Sequence, residues 1–289
     1  MLLLLALVWG SSFILIKKGL VVFSPGEVGA FRIVTAALVL LPLGIPKVKL
    51  LNRRQMAYLF CIGFLGSFIP AFLFATAQTQ LSSSLAGVIN ALTPLMVMLI
   101  GALLFKTKIS RQNAIGLVIA LMGVCLLVLA GNSGKLDVFS GFNLYGLLIV
   151  LASICYGFNV NIIKFKIKEI NPTMITAISL MMVLPIASLY LFGFTSFSFK
   201  LVHVEGAWLA AGYITFLGAV GTALALILFN SIVKLVTPVF ASSVTYIIPL
   251  VAIFWGVLDG ETLFPFHYLG IFAVVVGVWI GNRKAKAAE

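Results

Sequence analysis

Ten apolar runs of about 20 residues each, parted by short breaks rich in Pro, Gly, Asn and charge, constrain this chain more than any other feature. A run of that length and dryness crosses a bilayer, where each backbone N–H and C=O must find its partner inside the protein. Only helices and closed barrels meet that condition. The runs do not alternate in period two, so a barrel is excluded. Of the 289 residues 62% are apolar and 9% charged, against roughly 45–50% and 25% in soluble domains. Ten helices consume about 200 residues and leave about ten per connection, which leaves no room for a large soluble domain or a long lid. The chain reads as an all-α integral membrane protein with ten transmembrane helices.

The expected spans are 2–22, 27–45, 55–77, 82–105 and 112–130, then 142–164, 172–193, 207–233, 238–258 and 265–282. The first carries no basic leader or small-residue cleavage site, so it reads as a retained helix and not a signal peptide. With the N-terminus inside, fourteen cations fall in inner connections: Lys47, Lys49, Arg53, Arg54, Lys106, Lys108, Arg111, Lys164, Lys166, Lys168, Lys234, Arg283, Lys284 and Lys286. Only Lys135 and Lys200 fall outside. The positive-inside rule therefore places both termini in the cytoplasm. It also accounts for the net charge of +12 without nucleic acid as a partner.

Cys61, Cys125 and Cys155 lie within apolar runs and lack CxxC spacing, so they read as small buried hydrophobes. His203 and His267 form no ligand cluster, and no nucleotide loop or nucleophile elbow is present. No enzyme chemistry, metal or cofactor is expected.

The two halves resemble each other. At an offset of 147, Trp9-Gly10-Ser11-Ser12 meets Tyr156-Gly157-Phe158-Asn159, and Lys17 meets Lys164. At 152, Phe64-Leu65-Gly66 meets Phe216-Leu217-Gly218, and Gln78 meets Asn230. At 155, Asn90 meets Thr245 and Pro94 meets Pro249. Residues 1–135 and 136–289 are thus expected to be two five-helix repeats. Five is odd, so the second copy enters the membrane inverted, which is how many secondary transporters are built.

On Trp9-Gly10-Ser11-Ser12-Phe13, Phe31-Arg32, Pro94 and the glycine-punctuated span after Lys106, the chain resembles the EamA-type drug/metabolite transporters over nearly its whole length. The resemblance implies a ten-helix exporter of small metabolites, often amino acids, in the bacterial inner membrane.

Polar residues inside spans tend to face the bundle interior or a wet cavity. Trp9 with Ser12, and Tyr156 with Asn159, share helical faces at a spacing of three. Asn90 and Thr93 in the fourth span, Thr245 and Tyr246 in the ninth, and the amides of Gln78 and Asn230 complete the candidate substrate site. Neutral donors and acceptors beside aromatic rings suit a zwitterionic or amphipathic small molecule. Pro94 and Pro249 each remove a helical hydrogen bond, and with Gly66 and Gly218 they are expected to act as hinges. Gly116, Gly123, Gly270 and Gly277 read as close-packing positions or a dimer face, so the protein is a monomer or a homodimer.

Lys17, Glu27 and Arg32 form the remaining set. Glu27 is expected to pair with Lys17 or Lys18 across the first hairpin, and Arg32 to snorkel or pack against another helix instead of binding substrate. The partners are the small molecule and the bilayer. Mechanistically this is alternating access, with facilitated diffusion, exchange, or proton coupling through a peripheral acid such as Glu27. A lipid or lipid-linked-sugar flippase is the alternative.

Overall fold

A computed structural model describes residues 1–130 and 144–282. Lys135, Asp137, Arg283, Lys284, Lys286, Glu289 and the expected 135/136 boundary lie outside the described residues. Helices form wherever the apolar runs predict them: α1 (Leu2–Gly19), α2 (Pro25–Leu50), α3 (Arg53–Ala77), α4 (Ser83–Phe105), α5 (Arg111–Ala130), α6 (Tyr145–Lys166), α7 (Pro172–Gly193), α8 (Ala207–Leu235), α9 (Pro238–Leu258) and α10 (Pro265–Asn282). A short surface helix, Phe197–His203, precedes α8. No strand occurs among the described residues. Eight helices, all but α5 and α10, are long and apolar enough to cross a membrane; α5 and α10 carry shorter apolar stretches, Arg111–Leu127 and Pro265–Ile280. This is a multi-pass integral membrane protein. Exposed Leu7, Leu189, Trp208 and Phe272 belong to the wide apolar exterior that faces lipid.

Several helices begin where side chains satisfy the free N–H groups of their first turn. At α2 the Ser24 hydroxyl accepts from Glu27 N, and the Glu27 carboxylate accepts from Ser24 N at 2.7 Å. Asn52 and Gln55 repeat this reciprocal cap at α3. Ser82 accepts from Leu85 N at α4, and Asn171 from Thr173 N at α7.

Four helices are irregular in mid-course. α3 contains a π turn over Phe64–Phe68 and α8 one over Leu217–Leu224. α4 is broken between Ser83–Asn90 and Thr93–Phe105. α9 is divided into Pro238–Ser242, a 3₁₀ turn over Ser243–Tyr246, and Ile248–Leu258. Pro94 and Pro249 therefore do not kink continuous helices, as the sequence suggests. Each sits in the first turn of a new half-helix, where a missing N–H costs nothing.

α1 packs on α9 and α4 on α6; α2 packs on α8 and α3 on α6; α2 pairs with α7, α4 with α9 and α5 with α10. The α5–α10 pair is held at backbone range by glycines. A Cβ on Gly123 would lie 2.8 Å from Gly270 O, and one on Gly277 would lie 2.7 Å from Gly116 O. The stripe expected as a packing or dimer face is used inside the chain.

Candidate functional site

The four irregular helices surround a cavity of about 90 Å³. α1, α2 and α6 complete its wall. Trp9, Phe13, Phe74, Tyr156 and Phe229 give it aromatic faces; Ser12, Asn90, Thr93, Asn159, Thr222 and Thr245 give it neutral polar ones. Its one charged lining residue among the described residues is Arg32.

The π turn of α8 organises one side. Trp9 Nε1 donates to the Gly221 carbonyl at 2.9 Å, and its ring meets Phe229 edge-on at 5.0 Å. The next residue, Thr222, accepts from Arg32 Nε at 2.8 Å and donates to the Leu217 carbonyl at 3.2 Å. Arg32 thus bonds to another helix and also lines the cavity. Gly218 on the same turn lets α8 approach α2, since a Cβ there would stand 2.8 Å from Arg32 O.

The broken α4 organises the opposite side. The Thr93 hydroxyl donates to the Asn90 carbonyl at 2.8 Å, occupying an acceptor that the break leaves free. It also lies 3.3 Å from Ser153 Oγ. In α9 the Thr245 hydroxyl donates to Ser242 O at 2.9 Å. Asn159 presents its amide with Oδ1 buried and without a hydrogen-bond partner. Gly66, in the π turn of α3, is the reason the amide fits: a Cβ there would overlap it, lying 2.7 Å from Oδ1.

Trp9, Ser12, Asn90, Thr93, Tyr156, Asn159, Thr245, Gly66 and Arg32 are therefore brought to one cavity. Gln78, Asn230 and Tyr246 are not among its lining. Gln78 Nε2 donates to Phe13 O at 2.8 Å and Asn230 Nδ2 to Thr176 Oγ1 at 2.9 Å, so these amides tie neighbouring helices together. The Tyr246 hydroxyl is buried without a hydrogen-bond partner. Pro94, Pro249 and Gly218 are also not among its lining. Thr222, Ser67 and Ser242 line it and have no sequence signal beyond being polar in a span.

Charged side chains cluster at both ends of the bundle. At the first, Glu261 lies on the start of α4: its carboxylate accepts from Ser83 N (2.9 Å), Ser83 Oγ (2.7 Å), Ser84 N (3.0 Å) and Ser84 Oγ (2.7 Å). Lys17, at the end of α1, adds a fifth contact at 2.9 Å and reaches Asp259 at 2.8 Å. Lys18 also pairs with Asp259. Burial pushes the Glu261 carboxyl upward, but donors from Lys17, Ser84 and Ser83 outweigh it and hold the group at about 2. Hydrogen bonds from Lys17 and Lys18 lower Asp259 as well. Glu27 does not join this cluster. It is 2% exposed and pairs with Lys200 at 2.7 Å, so the expected link to Lys17 or Lys18 is corrected. The short surface helix brings Lys200 over the start of α2, while the two lysines of α1 point to the α9–α10 connection.

At the opposite end, Lys164 of α6 donates to Val233 O, Lys234 O and Val236 O, the nearest at 2.7 Å. Lys234 of α8 donates to Ile167 O at 2.6 Å and to Lys168 O. Each lysine caps the other helix's C-terminus, where free carbonyls and the helix dipole favour a cation. Gln55 reaches Glu169 at 3.1 Å nearby.

A family model described as the EamA-like transporter family matches residues 1–129 and 143–283. A protein of Salmonella typhimurium named a probable amino-acid metabolite efflux pump is 25% identical over 299 residues, covering 99% of this chain and 96% of that protein. The uncharacterized inner membrane transporter YedA of Escherichia coli is 28% identical over 280 residues, covering 95% and 87%. A solved crystal structure shares the fold with a TM-score of 0.67 at 17% identity, over 96% of this chain and 94% of that one.

Proposed function

The chain belongs to the EamA-like transporter family, and on that premise we propose that it exports small organic metabolites, amino acids or related amphipathic compounds, by alternating access. The protein is a transporter and not an enzyme. The observation that carries the reading is the ring of four interrupted helices around one cavity. Irregular backbone at membrane depth survives only where it is buried in protein or lines a water-filled space, and discontinuous helices commonly mark transporter binding sites.

In this reading the ten helices are two inverted five-helix repeats, 1–135 and 136–289. Helix pairing supports it: exchanging each helix with the one five places along turns the α1–α9 contact into α6–α4 and the α2–α8 contact into α7–α3, and all of these pairs pack together. The π turns of α3 and α8, and the breaks of α4 and α9, fall at matched positions. The fourteen-to-two cation asymmetry puts both termini in the cytoplasm. The Glu261 rim then faces outward and the Lys164 rim inward, and the two open alternately. Gly66 and Gly218 absorb the bending at their π turns.

No carboxylate lines the cavity among the described residues. Transport therefore proceeds by facilitated diffusion or exchange, with Glu27 the peripheral acid to test for proton coupling. Unchanged pH dependence in Glu27→Gln eliminates that coupling. The decisive experiment is counterflow of labelled amino acids in proteoliposomes, with Asn90→Ala beside the wild type. Saturable exchange, weakened about tenfold by the substitution, is expected. Exchange indifferent to Asn90 would move the site elsewhere, and no exchange of any metabolite would turn the reading toward a lipid-linked substrate.

A further inference from the structure

Arg32 raises a question that helix packing does not answer. It lies seven residues beyond Pro25, inside a span, where a charge is costly unless it is paired or wetted. Yet its guanidinium makes no ion pair among the described residues. The described ion pairs all join rim lysines to Glu27, Asp259 and Glu261. Nε donates to Thr222, which restrains the group, and Arg32 lines the cavity.

Two further features accompany it. The Asn159 amide has its oxygen buried and unpartnered in the same cavity, held there by the missing Cβ of Gly66. A buried polar atom without a partner costs about 1–3 kcal/mol, a deficit that a ligand's donor would remove. Trp9, Phe74, Tyr156 and Phe229 add aromatic faces beside neutral polar side chains such as Ser12 and Thr93.

We propose that Arg32 docks a carboxylate of the transported molecule, that Asn159 meets a polar group beside it, and that the carrier selects small monocarboxylates with an apolar or aromatic body. A planar guanidinium forms two parallel charge-assisted bonds to a carboxylate, with Thr222 holding the fork in register. A dianion such as a phosphate monoester would bring a second charge, and no second cation lines the cavity among the described residues. This inference rests on the central cavity being the transport site.

The test uses the full chain in proteoliposomes exchanging labelled L-phenylalanine. Two competitors divide the ligand: 3-phenylpropionate keeps the carboxylate and lacks the amine, whereas phenylalaninamide keeps the amine and lacks the carboxylate. In the wild type 3-phenylpropionate should compete, and phenylalaninamide should be at least tenfold weaker. Arg32→Gln should lower phenylalanine exchange about tenfold or more and shrink the gap between competitors to threefold or less. Thr222→Val, which keeps the charge but frees the fork, should weaken binding a few-fold with selectivity retained. The competitor ratio in the wild type decides the matter even where Arg32→Gln does not fold. Equal competition by both compounds, or exchange confined to amines lacking a carboxylate, overturns the inference and leaves the carrier reading standing. Absence of exchange for every compound removes both.

Discussion

The two ends of the bundle close with different chemistry although their lysines are matched: Lys17 and Lys164 stand 147 residues apart in corresponding helices. At one end Lys17 finds carboxylates, and Glu261 carries the seal by accepting five hydrogen bonds from two other helices. At the other, the position matching Glu261 at an offset of 155 is Lys106, the nearby Glu169 accepts from Gln55, and Lys164 settles on helix-end carbonyls. The first seal is made of groups that titrate and the second is made against backbone that does not. The two ends are thus held by unlike interactions, and the buried carboxylate that acid would protonate lies at the first.

This contrast can be broken most directly at Glu261. Glu261→Ala strips Lys17 of a partner and exposes the unsatisfied N–H groups of Ser83 and Ser84, so thermal unfolding in detergent should show a loss of about 3 kcal/mol. A loss below about 1 kcal/mol would mean the cluster is a surface ion pair and no seal. Next in size is Gly256→Ala. An added Cβ there would strike Ser84 Oγ and the Glu261 carboxylate, pushing the latter from its cradle. About 1–2 kcal/mol is expected, as for an overpacked site, and it should shrink in a Glu261→Ala background, leaving the part due to Ser84. Lys164→Met should cost about 1 kcal/mol, the net worth of bonds to carbonyls that water can partly replace.

The comparison can also be sharpened through pH. The folded Glu261 carboxyl sits at about 2, below its ordinary 4.5. Its contribution is therefore complete above pH 4.5 and is lost as pH falls from there toward 2. Stability should be flat from pH 7 to about 5 and begin to decline only below. Glu261→Gln should remove the part of that decline due to Glu261 and leave the parts due to Asp259 and Glu169, whereas Lys164→Met should leave the part due to Glu261. A decline unchanged by Glu261→Gln would assign the acid response to other groups.

Much of this was legible along the chain. The second span is expected at 27–45, and the helix begins two residues earlier because Ser24 and Glu27 cap it. Pro94 and Pro249 mark where α4 and α9 are interrupted, though a proline alone does not say whether a helix will kink or break. The spacing of Trp9 to Ser12 and Tyr156 to Asn159 puts each pair on one face. The same reasoning fails for Gln78 and Asn230, whose matched positions hold helices together away from the cavity. Glu27 was assigned to the wrong lysine because proximity along a hairpin is a poor guide when Lys200, 173 residues on, packs over it.

What the sequence by itself determined is the medium and the elements: dryness and length compel helices in a bilayer. What only the tertiary structure decided is which faces meet. Helical periodicity fixes which residues share a stripe, but the rotation of each stripe depends on packing against all its neighbours at once. That rotation turns Arg32 and Asn159 into one cavity, sends Gln78 to a backbone carbonyl, and carries Glu261 across 178 residues to Ser83.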